Sequence, residues 1–234
     1  MPAPRKFTHE QLRAAALALV DQHGLAGLTM RSLAAVLGTG AMTIYNYVDG
    51  REGLEHLVTE AVMSEARWSI EPDADWGQEV TAIAEGLWRS ARAHPHAIPL
   101  ILTRRSIDET TLAPSEALLR ALARSGRSGG ELLVAFRAVS AFITGFAQVE
   151  LTGPLSTERG EDLTSITDRI AALPSDRFAK LIEIARAALD SDPEIEFRAG
   201  LGIVLAGLGW QANHPTRSPA GTSPQQADGK SVER

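Results

Sequence analysis

Between Thr29 and Val48 the chain carries two stretches of helical periodicity hinged at Gly38. This pair constrains the fold more than anything else in the sequence. Each stretch is only about eight residues long, and helices of that length do not hold alone in water, because nucleation fixes several dihedrals for one hydrogen bond. They must pack on one another and on their flanks, and Leu33, Ala34, Leu37 and Ile44 supply the apolar contacts. Thr29 can cap the first helix, Ala34 is small where the two would cross, and Gly38 tolerates the positive φ of a tight turn. The spacing fits a helix-turn-helix, and equally an ordinary corner of two helices. In the first case Thr43, Asn46 and Tyr47 face outward, with hydrogen-bonding groups suited to base edges or phosphates.

The flanks are helical too. Thr8-x-x-Gln11 is a capping box that opens a helix with the apolar face Leu12, Ala16, Leu19 and Val20, stopped at Gly24. Asp49-Gly-Arg-Glu52 starts a fourth helix carrying Leu54, Leu57, Val58, Ala61 and Val62. After the polar break Ile70–Asp75, periodicity predicts helices over Trp76–Ala93, Ala97–Ile107, Pro114–Arg124, Glu131–Leu151, Thr164–Leu173, Ser175–Leu189 and Pro193–Gln211. No stretch alternates as a strand would, so the expected fold is all-α. Residues 1–68 form an N-terminal unit and 69–211 a larger helical one. Residues 212–234, rich in Pro, Ser, Gly and Gln, are expected to be a disordered tail.

Composition excludes several classes. The chain has no cysteine, so disulfides, thiolate zinc sites and cysteine nucleophiles are ruled out, in keeping with a reducing cytoplasm. No apolar run follows the two basic residues of MPAPRKFTHEQL, so no signal peptide is expected. The nearest approach to a membrane span is Ala199–Ala212, which is short and rich in glycine, so no membrane partner is expected. A formal net charge of -6 argues against a general nucleic-acid coat protein, but not against a reader whose cations line one surface. Gly126-Arg-Ser-Gly-Gly130 matches G-x-S-x-G, but a helix precedes it where a hydrolase needs a strand. Without a phosphate-binding or dinucleotide fingerprint, the chain reads as a non-enzyme with no cofactor. His94-Pro-His96 has no third ligand in view and marks a helix end rather than a metal site.

Residues Thr8–Leu57, with GLTMRSLAAVLG, a turn, MTIYNYV and a basic residue before a leucine-rich helix, resemble the DNA-binding domain of the tetracycline-repressor (TetR) family. The resemblance implies a three-helix helix-turn-helix domain with a connecting fourth helix over 1–68. It matches Thr29 and Arg31 to the start of the second helix, where they meet phosphate or base. It matches Ala41, Met42, Thr43, Asn46 and Tyr47 to the recognition helix, with Thr43 and Tyr47 as phosphate contacts. Tyr45 falls on a core-packing position, and Arg51 on a basic residue that clamps the backbone. Asp49-Gly50 departs from the family pattern and places an acid near phosphate. Through Leu57, Arg5, Lys6, Arg13, Arg31 and Arg51 only balance Glu10, Asp21, Asp49, Glu52 and Glu55.

Farther on, Asp176-Arg-Phe-Ala-Lys-Leu-Ile and Phe197-Arg-Ala-Gly-Leu201 are similar to the tetracycline-repressor C-terminal subset. This implies that 69–211 is a ligand-binding and dimerisation domain. Gly200, Gly202, Gly207 and Gly209 suggest close helix approach, either in a homodimer four-helix bundle with Glu131–Leu151 or within one chain's own core. Phe136, Ser140, Thr144 and Gln148 recur every four residues and are expected to line a mixed pocket opposite Trp88. The implied protein is a homodimeric repressor that binds double-stranded palindromic DNA and is released by a small-molecule effector. The fourth helix is then expected to be the only segment touching both domains. The alternative is a helical interaction module without DNA binding.

Overall fold

The computed structural model describes residues 6–103, 108–152 and 162–210. Within them the chain is helical throughout, in the order α1 His9–Gly27, α2 Met30–Val36, α3 Ala41–Ile44, α4 Gly50–Glu65, α5 Trp76–Ala93, a 3-10 turn Pro95–Ala97, α6 Ile98–Thr103, α7 Glu109–Ala123, α8 Gly129–Thr152, α9 Leu163–Ala171, α10 Ser175–Ala187 and α11 Pro193–Gly207. The expectation of a disordered tail over 212–234 lies outside the described residues.

Side-chain caps set most of the starts. Thr8 with Gln11, and Asp75 with Gln78, form reciprocal capping boxes at α1 and α5. Asp108, Asp162 and Asp192 each accept backbone N–H bonds at the starts of α7, α9 and α11. Gly24 is left-handed at φ 65, as its position suggests, but one further turn follows it to Gly27. α3 is shorter than Ala41–Val48. Beyond Ile44 the chain tightens, with Asn46 N–H donating to Thr43 O and Tyr47 N–H to Ile44 O. α7 begins at Glu109 rather than Pro114, because the Asp108 cap opens it earlier; Pro114 is carried inside the helix.

Two cores result. The first gathers Leu12, Leu33, Ile44, Leu54 and Leu57, and also takes Ala97 and Leu100 from beyond the expected boundary at 68. The second lies among α5, α7, α8 and α11, around Val80, Ile83, Leu118, Leu122, Val139 and Leu201. At its centre Trp88 stacks on Phe197 at 4.6 Å between ring centroids. The linker after α4 crosses α5 at Gly86, where a Cβ would lie 2.4 Å from Arg67 O, so only glycine fits. α9 and α10 pack on each other through Ile166, Ile182 and Ala185.

α8 overturns one sequence expectation. Gly129–Glu150 reaches a mean hydropathy of 1.7, long and apolar enough for a membrane span, with only 22% of that window buried. Its few charges had masked it. Leu133, Val134 and Val149 of α8 and Ile195 and Ile203 of α11 are exposed, Ile203 at 76%. The four glycines separate into different roles. Gly200 faces its own chain, where a Cβ would lie 2.8 Å from the Phe142 ring, and Gly209 ends the helix at φ 81. Gly202 and Gly207 have nothing within 4 Å.

Candidate nucleic-acid interface and internal cavity

The interface is built around α2 and α3. Thr29 Oγ1 accepts from Ser32 N–H at 3.0 Å, and Ser32 Oγ accepts from Thr29 N–H at 2.9 Å. Gly38, at φ 63, turns the chain, and Thr39 N–H donates back to Ala34 O. Ile44 and Val48, four residues apart, face the core and so fix which side of α3 looks out. Met42, Tyr45 and Asn46 are exposed, as is Arg31 on α2, while Ala41 and Thr43 are half-buried. Thr29 is exposed as well, although its hydroxyl oxygen serves the cap.

Tyr45 does not take the core-packing place expected of it. Tyr45 is 54% exposed. Tyr47 packs edge-on against Phe7, and its hydroxyl accepts the Phe7 N–H at 3.1 Å. Tyr45 and Tyr47 flank the Ile44–Val48 line on opposite sides, each about 80° from it, so spacing alone does not separate them; the contact of Tyr47 with Phe7 does. Arg51 also differs from a clamp reaching outward. Its Nε donates to Glu55 at 2.6 Å, and its terminal nitrogens donate to Leu28 O and Leu25 O. Both carbonyls lie at the C-terminal end of α1, where helical donors run out, and Arg51 adds a donor to each.

Two polar clusters hold α1, one to α4 within this unit and one to the end of α5 beyond it. Glu60 of α4, buried, lies 2.6 Å from His9 Nε2 and 3.2 Å from Arg13 Nη1, both on α1. His94, at the end of α5, lies 2.9 Å from Asp21 of α1 through Nδ1 and 2.8 Å from Glu65 of α4 through Nε2. Only a protonated ring offers a donor to both carboxylates. Burial disfavours that charge, but the bonds to Glu65 and Asp21, with their negative charge, outweigh it and raise the pKa above its ordinary 6.5. The contact of α1 with His94 and His96 corrects the expectation that α4 alone touches both units.

Behind α4 lies a cavity of about 330 Å³. Phe136, Ser140 and Thr144 of α8 line it, together with Thr59 and Met63 of α4 and Leu87 of α5. Gln148 and Trp88 do not. A row of every fourth residue drifts about 40° per step around a helix, so by Gln148 it has left the cavity for an exposed position. Trp88 is 1% exposed inside the second core, and its indole N–H donates to Glu150. Leu87 and Ala91 face the cavity instead, one step around α5 from Trp88. Sequence periodicity missed Thr59 and Met63, whose helix reads as belonging to the first core.

The family description "Tetracyclin repressor-like, C-terminal domain" matches residues 70–211. An HTH-type transcriptional regulator of Saccharopolyspora erythraea is 32% identical over 144 residues, covering 62% of this chain. The chain spans 61% of that relative's length. The tetracycline repressor protein class C of Escherichia coli is 26% identical over 206 residues, covering 87% of this chain and 91% of that one. Among solved structures, the Streptomyces coelicolor TetR family protein ActR in complex with actinorhodin superposes with a TM-score of 0.72 at 25% identity, covering 88% of this chain and 96% of that one.

Proposed function

Since this chain belongs to the tetracycline-repressor family, we propose that it is a cytoplasmic, ligand-released transcriptional repressor that binds a palindromic operator as a homodimer. One observation carries this reading: α4 joins cavity to interface. It contributes Thr59 and Met63 to the cavity wall, holds α1 through Glu60, and supports the end of α1 through Arg51. A ligand that prefers one position of α4 therefore biases the spacing of two recognition helices, and differential affinity of that kind is what shifts a population. The solved relative with actinorhodin bound supports a cavity ligand. The exposed apolar faces of α8 and α11 support a second copy as the cover that completes a four-helix bundle.

Arg31, Ala41, Met42, Thr43 and Asn46 face the groove in this reading, with Thr29 at the entry to α2. Tyr45 joins them, and Tyr47 and Arg51 support them from behind. A module that has lost DNA binding is favoured by one observation, the engagement of Arg51 by backbone carbonyls and Glu55. A gel shift on the DNA upstream of the protein's own gene separates the two: a salt-sensitive complex with a two-fold symmetric footprint is expected. No complex at low salt sinks the repressor reading.

A further inference from the structure

We propose that α3 selects A·T pairs at the positions it touches in each operator half-site, with Met42 seated on the C5 methyl of one thymine. This deepens the repressor reading and rests on α3 being the helix that enters the major groove. Ile44 and Val48 hold the inner side of α3. Met42 stands two residues before Ile44 and Asn46 two after it, so both come out on the opposite side, where both are exposed. Met42 is 76% exposed, so its own chain gives the side chain almost nothing to pack on.

The residue types on this stretch restrict what it can read. From Gly38 to Val48 there is no Arg, Lys, His, Gln, Asp or Glu. Arg and Lys are the side chains that pair with guanine O6 and N7, and Asp and Glu those that accept from cytosine N4, so α3 has neither. Asn46 carries the one side-chain amide, whose donor and acceptor match N7 and N6 of adenine. Thr43 is half-buried, and a hydroxyl serves either kind of pair. That leaves the apolar arm of Met42. The thymine methyl is the apolar group that a base edge presents in the major groove. An unbranched, polarisable thioether can settle on it without a fixed shape of its own. Covering the methyl removes apolar surface of both partners from water, which a cytosine or purine edge at that place would not return.

The test uses the full chain. Selection from random duplexes gives the preferred half-site. Each of its thymines is then replaced, in both half-sites at once, by deoxyuridine, which lacks only the methyl. At one position the replacement should weaken wild-type binding about tenfold, the return on one buried methyl per half-site. Met42→Ala should bind the thymine duplex more weakly and lose the uracil penalty, so the two changes are not additive. Met42→Leu, which keeps an apolar arm, should keep the penalty, and circular dichroism checks that both variants fold. The proposal is overturned by G·C pairs throughout the half-site, by thymines indifferent to uracil, or by a penalty that survives Met42→Ala. Each of those results, obtained on a duplex the protein does select, refutes only the base preference. No complex with any duplex at low salt refutes the repressor reading itself, and this proposal with it.

Discussion

Thr59 and Glu60 are consecutive residues of α4, yet Thr59 lines the cavity while Glu60 grips His9 and Arg13 of α1. A displacement of one is a displacement of the other, since both ride on the same turn of helix. In the proposed switch, signal and response are therefore separated by a single peptide unit rather than by a long chain of contacts.

Glu60→Gln should loosen that grip without changing the cavity. Removing one partner of a buried ion pair costs about 3–5 kcal/mol when both groups are buried. His9 is 57% exposed and Arg13 20%, so a smaller loss of about 1–2 kcal/mol is expected. Urea unfolding measures it. The same variant should bind ligand as before but respond to it less, with the ligand-induced drop in operator affinity shrinking from the typical 5–150-fold. An unchanged drop would show that α1 is not held through Glu60.

Substitutions on the interface should separate by role. Asn46→Ala should relax preference at one position of each half-site, losing about 1–3 kcal/mol of discrimination. Thr43→Ala should weaken all sequences alike, because a phosphate contact carries no base information. Arg51→Ala should lower the unfolding midpoint as well as DNA affinity, since it removes donors from Leu25 O and Leu28 O. Selection of preferred sites from random duplexes, beside thermal melts, distinguishes the three. An Arg51→Ala protein that melts like the wild type would return Arg51 to a purely DNA-facing role.

His94 makes stability depend on pH. Its folded pKa is raised above 6.5, so the protonated ring is bound more tightly in the folded chain than in the unfolded one. The stabilisation is complete below about the unfolded value of 6.5 and is lost as pH rises through the higher folded value. The melting temperature of the wild type should therefore fall, relative to His94→Gln, as pH climbs from about 6 towards 8. Parallel curves for the two proteins would mean that Asp21 and Glu65 do not hold the charged ring.

Ile203→Glu should give a monomer. Ile203 is 76% exposed on the apolar face of α11, and a carboxylate there would be buried without a partner in the proposed bundle. Light scattering reads the mass directly. A dimer that persists in Ile203→Glu and also in Val134→Glu would place the subunit contact elsewhere.

The parts of this architecture that were legible in the sequence are those written in local chemistry. The Thr8 start, the Gly38 turn and the periodic faces of α1 and α4 need only near neighbours to be read; Asp49 does precede α4, but its side chain makes no cap bond there. What escaped depends on distant contacts. Arg51 looked like a free cation because the carbonyls it serves lie on another helix, beyond Gly24. Trp88 looked like a cavity residue because its stacking partner, Phe197, comes more than a hundred residues later. Tyr45 escaped for a different reason: resemblance placed it in the core, and the Ile44/Val48 spacing does not by itself show that it is exposed.

α8 has two faces with different occupants. Phe136, Ser140 and Thr144 look into the cavity, while Val134 and Val149 look away from the chain. In the proposed dimer this helix is a party wall, with a ligand on one side and the partner's helices on the other. A ligand that shifts the wall alters the packing its neighbour must accept, so the two cavities are not independent. Occupying the first changes the affinity of the second, and the response to effector becomes steeper or shallower than a simple hyperbola. A monomeric variant, with no neighbour behind α8, returns to the hyperbola.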